Sequence, residues 1–335
     1  MNSRSGDPNL NPNLALNPLN RIVPRRNILI FHLGALGDFL VTWPLALALA
    51  RLHPQSRVFY ITHGQKGALA ERVLRVESLD IESGGWHRLF SNTPDLPAPA
   101  AKALASAHTV VSFLSEPDDL WSRNVKAANP DANLLTIATN APDDFAGHQT
   151  QFLIDQLHSW PAAESAARQI LHSIAERGLG VQKNPHGPAL SLSNGPIVIH
   201  PGGGSPKKCW PAERFVELAA RLRAGGKAVR VLLGEVELER WPAALIEQFR
   251  ATAQVQTPVN LVDLLQQITP AAAFIGNDSG PGHLAGILGV PTVSLFGEAS
   301  KVERWKPLGP RVRVIQKALE GLDVQEVMDA STTVG

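Results

Sequence analysis

Short runs of consecutive apolar residues, each ending in small or polar residues, organise this chain. Asn27-Ile28-Leu29-Ile30-Phe31-His32 is one such run, as expected for a strand buried on both faces of a parallel sheet. Gly34, Gly37 and Asp38 follow, and then an apolar-rich helical stretch to about Leu52, in which Pro44 suits a first turn. Arg57 to Thr62, Ala107 to Leu114 and Asn133 to Ala138 read as further strands with helical segments between them. The pattern restarts after a Pro/Gly/Asn/Ser stretch, Asn184 to Pro196. Ile197 to His200 reads as a strand, Pro201-Gly202-Gly203-Gly204 as its loop and Ala212 to Ala224 as a helix. Lys227 to Leu233, Ala271 to Ile275, Thr292 to Phe296 and Arg311 to Ile315 read as strands, and Val236 to Phe249, Pro281 to Leu288 and Leu319 to Asp329 as helices. This alternation is that of parallel α/β sheets. Both glycine loops sit at the C-terminal end of a strand, where such sheets bind ligands. The economical reading is α/β with two Rossmann-like domains facing a central cleft.

Length agrees with that reading, because 335 residues exceed one ordinary core. The expected domains are 25–185 and 196–335. Residues 1–24 are rich in Asn and Pro and show no apolar periodicity, which predicts a disordered extension. Leu14-Ala15-Leu16 is too short for the apolar core of a signal peptide. No apolar run approaches the roughly 18 residues of a spanning helix. Lys+Arg is 31 and Asp+Glu is 30, so the chain carries no electrostatic footprint for nucleic acid. One cysteine, Cys209, excludes an internal disulfide framework and any multi-cysteine zinc site. The scattered histidines form no H-E-x-x-H, and no metal is expected.

Candidate chemistry lies in three loops. Gly34-Ala35-Leu36-Gly37-Asp38 is neither a dinucleotide fingerprint nor a P-loop. Asp38 reads either as a helix cap or as a general base at the strand's carboxyl edge, and an unperturbed Asp, with a pKa of about 3.9, would need partial desolvation to serve as one. The second loop, Gly202-Gly203-Gly204-Ser205-Pro206-Lys207-Lys208, offers backbone amides, a hydroxyl and two ammonium groups. It suits a phosphate-bearing ligand, or it is a solvated basic turn. The third, Asn277-Asp278-Ser279-Gly280-Pro281-Gly282-His283, runs from a strand directly into a helix. The Ser279 and Gly280 amides and the Ser279 hydroxyl would cradle a diphosphate at that helix start. His283 would turn toward the same anion or be a buried structural histidine. No G-x-S-x-G elbow accompanies Ser279, which argues against a serine hydrolase.

Taken together, Gly34 to Asp38, His200-Pro201-Gly202 with Lys208-Cys209-Trp210-Pro211, Gly234-Glu235, and Asp278 to Ala285 with Gly289-Val290-Pro291-Thr292 and Leu295-Phe296-Gly297 resemble the heptosyltransferases of glycosyltransferase family 9. The resemblance runs in order from about Asn27 to the C-terminus. It implies a GT-B fold, with an acceptor-binding N-terminal domain and a nucleotide-sugar-binding C-terminal domain. It also implies metal-independent, inverting transfer from ADP-L-glycero-D-manno-heptose to a lipopolysaccharide-core or related glycan acceptor. Asp38 would then be the base, and Lys208 with Ser279 and Gly280 would hold the diphosphate. Glu235, otherwise read as a helix-start acid, would bind ribose hydroxyls. Asp278 and His283 match the family's donor motif, and Thr257 to Leu261 would lie near the adenine. The sequence departs from the family at His32, where an arginine is often found two residues before the first loop glycine.

The implied partners are a nucleotide-sugar donor and a glycolipid or glycan acceptor. The expected location is cytoplasmic, and a lipid acceptor would bring the protein to the inner face of the inner membrane. Two alternatives stay open from sequence: a GT-B nucleotide-sugar 2-epimerase, which needs no acceptor, and a non-catalytic nucleotide-sugar-binding protein.

Overall fold

A computed structural model describes residues 26–180 and 195–334. The N-terminal extension, and all of the expected interdomain stretch except Gly195 and Pro196, lie outside the described residues. Two parallel sheets carry the fold. The first has the order β3-β2-β1-β4-β5, with β1 Asn27–Phe31, β2 Arg57–Thr62, β3 Glu77–Asp80, β4 Ala107–Ser112 and β5 Asn133–Thr136. The second has the order β11-β10-β9-β6-β7-β8, with β6 Ile197–His200, β7 Val229–Leu232, β8 Gln254–Gln256, β9 Ala273–Asn277, β10 Thr292–Gly297 and β11 Val312–Lys317. Helices connect the strands in each. This is the GT-B arrangement that the resemblance implied.

The strongest apolar runs became the central strands. Every residue of β1 and β9 is buried, and each strand pairs on both sides. Strand order reverses between β1 and β4 in one sheet and between β9 and β6 in the other. A crevice opens at such switch points, and all three candidate loops follow β1, β6 or β9. The edge strands β3 and β8, ESLD and QVQ, were not expected. Their polar composition gives no apolar run, and pairing with β2 and β7 defines them.

Helix breaks also refine the sequence reading. The stretch after the first glycine loop is two helices, Leu36–Leu40 and Trp43–Leu52, with Pro44 in the first turn of the second. Thr42 sits at the junction, where its hydroxyl bonds the Phe39 carbonyl at 2.7 Å and the Tyr60 hydroxyl at 2.8 Å. The helix expected over Val236 to Phe249 is Glu235–Arg240 and Ala243–Thr252. Pro242, which has no amide proton to continue the ladder, separates them. The last helix starts at Val324 rather than Leu319, because Asp323 accepts from the Gln325 amide and caps it there.

The two halves share one hydrophobic cluster. It joins Ile28, Leu40 and Leu49 of the first to Phe274, Leu284 and Ile287 of the second. The Leu179 amide also donates to the Ile287 carbonyl at 2.7 Å.

Candidate active site

The loop after β1 and the helix Gly280–Leu288 meet across the cleft. A Cβ on Gly280 would lie 2.8 Å from the Leu36 Cβ, so only glycine permits this approach. A Cβ on Gly37 would lie 3.5 Å from the His283 ring. His283 is buried, with Nε2 3.7 Å from the Asp278 carboxylate. It therefore packs as a buried histidine between the two loops. Asp38 occupies the third position of the helix Leu36–Leu40, and its Oδ2 accepts from the Ala35 amide at 3.2 Å. Asp38 supports the helix start, as the capping reading expects, and it also lines a cavity of about 140 Å³. Behind the loop, Lys66 donates its ammonium to the Leu33 and Gly34 carbonyls. Burial holds that ammonium below the usual lysine value, while the Asp38 carboxylate pulls it upward.

Ser279 is the N-cap of the helix Gly280–Leu288, with extended backbone. Its Oγ makes no capping bond and is buried without a partner. A polar atom in that state costs stability unless something occupies it. Here it sits where helix amides and the macrodipole favour an anion. Asp278 lies between Lys208 and His283. Its Oδ2 is 3.8 Å from the Lys208 ammonium, and Oδ1 faces His283. Lys208 closes the short turn Pro206–Lys208 and leaves its side chain 57% exposed, so it can swing onto a ligand. A cavity of about 630 Å³ beside it is lined in part by Ser300, Lys301, Trp305 and Glu320.

The glycine loop after β6 is held by two groups that sequence reasoning gave no role. Asn277, fully buried at the end of β9, accepts from the Trp210 amide at 2.9 Å and donates to the Pro201 carbonyl at 2.8 Å. Glu237 is buried under the loop and accepts from the Gly234 amide at 2.8 Å. A Cβ on Gly202 would lie 2.1 Å from its Oε1, which explains that glycine. Gly203 approaches the Cys209 sulfur closely, whereas Gly204 faces open space. Ser205 contributes its carbonyl to the turn, accepting from the Lys208 amide at 2.9 Å. Trp210 anchors the loop's end, buried against Phe215 and donating to the Leu322 carbonyl at 3.1 Å. Burial keeps His200 below its ordinary pKa, opposed by the nearby Glu237 carboxylate.

Glu235 is exposed at the first position of its helix. Asn260 caps the helix Leu261–Ile268 and leaves Val259 77% exposed. Between that helix start and Gly64, Gln65 and Ala68 of the first half lies an open cavity of about 450 Å³. No grouping of three or more His, Cys, Asp or Glu that could hold a metal occurs among the described residues.

With this geometry in place, comparison with known proteins decides the family. The sequence profile of glycosyltransferase family 9 (heptosyltransferase) matches residues 149–330. The chain belongs to glycosyltransferase family 9. This family 9 glycosyltransferase is 30% identical over 152 residues to lipopolysaccharide heptosyltransferase 1 of Pseudomonas aeruginosa, a match that covers 45% of this chain and 39% of that protein. Its fold is similar to that of Escherichia coli ADP-heptose LPS heptosyltransferase II, with a TM-score of 0.66 at 20% identity over 92% of this chain and 98% of that one. It is likewise similar to the E. coli heptosyltransferase WaaC solved with ADP, with a TM-score of 0.66 at 15% identity over 92% and 100% of the two chains.

Proposed function

We propose that this glycosyltransferase moves a sugar, heptose, from an ADP-sugar to a hydroxyl of a lipopolysaccharide-core or related glycan acceptor, with inversion and without a metal. The C-terminal half holds the donor and the N-terminal half the acceptor. The observation that carries this reading is the meeting of Leu36 and Gly37 with Gly280 and His283. That contact brings the loop that carries Asp38 up to the start of the helix Gly280–Leu288, which supports a base and an anion site sharing one cleft. Donor chemistry is supported by the ADP bound to the E. coli relative and by the heptosyltransferase names of the others.

In this account the donor diphosphate sits on the Ser279 hydroxyl and the first amides of the Gly280–Leu288 helix, with the loop from Gly202 to Ser205 beside it. Lys208 leaves its loose pairing with Asp278 to neutralise the diphosphate. Glu235 takes the ribose hydroxyls, and exposed Val259 offers an apolar surface to the adenine. The acceptor oxygen attacks the anomeric carbon from the face opposite the diphosphate. As the new C–O bond forms, the bond to the ADP oxygen breaks, Asp38 receives the acceptor's proton, and ADP leaves. Base catalysis of this kind is worth about 10²–10⁴-fold. Charge developing on the leaving group is stabilised by Lys208 and the helix start.

Asp38→Asn tests the assignment, since it removes the base without touching the cradle. Turnover should fall about 10²–10⁴-fold while the ADP dissociation constant changes by less than about threefold. Turnover close to that of the unaltered enzyme would refute Asp38 as the base.

A further inference from the structure

The cavity beside Asp38 has a chemistry of its own. It lies at the C-terminal edge of β1, holds about 140 Å³, and includes His32, Asp38, Thr42, Asn140 and Gln149 in its wall. That volume takes one edge of a sugar ring. Two of these wall residues carry a polar atom that is buried without a partner, His32 Nδ1 and Gln149 Oε1. The rest of each side chain is fixed. Gln149 Nε2 donates to the Thr139 carbonyl at 2.6 Å, which defines Oε1 as an acceptor in search of a donor. The His32 ring is wedged beside Phe39 and Phe113, at centroid distances of 5.5 and 5.7 Å.

We infer that this subsite selects an uncharged, hydroxyl-bearing sugar edge over a carboxylated or phosphorylated one, and that His32 and Gln149 are its specificity residues. The inference rests on the reading of Asp38 as the base and adds the class of acceptor. A sugar hydroxyl donates to Gln149 Oε1 and still offers lone pairs to its neighbours. An ionised carboxylate has no proton to donate, so it sets oxygen against Gln149 Oε1. It also meets the Asp38 carboxylate at close range, where like charges repel. Among the described residues no Lys or Arg lines the cavity to compensate. Burial, with Lys66 nearby, pushes the His32 imidazole down to about 3, so it is neutral at physiological pH. Lys66 itself is spent on the Leu33 and Gly34 carbonyls. A site built to bond a hydroxyl rejects ligands that leave its buried polar groups unpaired.

The test titrates the full chain, with and without ADP, with methyl α-D-glucopyranoside, its 6-carboxylate analogue and its 6-phosphate, followed by ligand-observed NMR. The neutral glycoside should bind at least about tenfold more tightly than either anionic twin. Gln149→Ala should erase most of that advantage. Asn140→Lys, at the exposed rim where folding is not at stake, should improve binding of the carboxylate about five- to tenfold. Equal or tighter binding of an anionic twin by the unaltered protein overturns the inference. So does failure of the neutral glycoside to bind, whether or not ADP binds. Loss of ADP binding with the neutral preference intact counts against the donor assignment and supports this one.

Discussion

Ser279 states the residue-scale logic most simply. Its hydroxyl is buried, uncapped and unpartnered, so Ser279→Ala removes a group that stabilises nothing in the unliganded protein. Its thermal midpoint should be unchanged or slightly raised. A hydrogen bond to a charged oxygen is worth about 1.5–3 kcal/mol, so the ADP dissociation constant should rise roughly 10–100-fold by calorimetry. A variant that binds ADP normally would remove Ser279 from the cradle. Asp38, Ser279 and His283 were legible in the sequence because each stands beside a glycine at the end of an apolar run. Gln149 and Glu237 were not. Nothing local marks them, and they reach the loops only through the tertiary fold.

At the scale of elements, the glycine loop after β6 keeps its shape through Asn277. Asn277→Ala leaves the Trp210 amide and the Pro201 carbonyl unpaired and buried. Two such groups cost about 2–6 kcal/mol together, which should appear as a lower urea midpoint and weaker ADP binding. Unchanged stability would mean that water replaces the side chain. The elements themselves were largely readable, because central strands of parallel sheets are continuous apolar runs. β2 and β6 fall where those runs predicted. β3 and β8 escaped notice because their identity lies in pairing, not in composition. The break at Pro242 was available in the sequence, since proline ends or kinks a helix, yet the apolar pattern runs on past it.

At the scale of the whole molecule, the contact between the halves at His148 depends on pH. Arg304 donates to the carbonyls of Ala141, Pro142 and Phe145, and nearby His148 reaches the Lys306 carbonyl at 2.9 Å. His148 Nδ1 also accepts from the Thr150 amide at 3.1 Å, capping the helix Gln149–Asp155. Both ring nitrogens are thus committed in the neutral form, with the proton on Nε2. Burial pushes the ring down to about 4. The unfolded chain, at the ordinary value of about 6.5, takes up its proton first as pH falls. Stability from this group is therefore full above about pH 6.5 and is lost progressively down to about pH 4. His32 extends the loss lower. The thermal midpoint should drop on acidification from pH 7 to pH 4.5, and less so in His148→Asn, which keeps a capping acceptor and cannot be protonated. An equal drop in both proteins would remove His148 from the account. This contact was invisible in the sequence, because its partners stand more than 150 residues apart.

Calorimetric titration with ADP, UDP, GDP and NAD, each with and without EDTA, tests whether the cleft binds an ADP-sugar at Ser279, as proposed. The expected result is binding that favours ADP, persists in EDTA and weakens in both Ser279→Ala and Lys208→Ala. A preference for UDP, or no binding of any of the four, would contradict it.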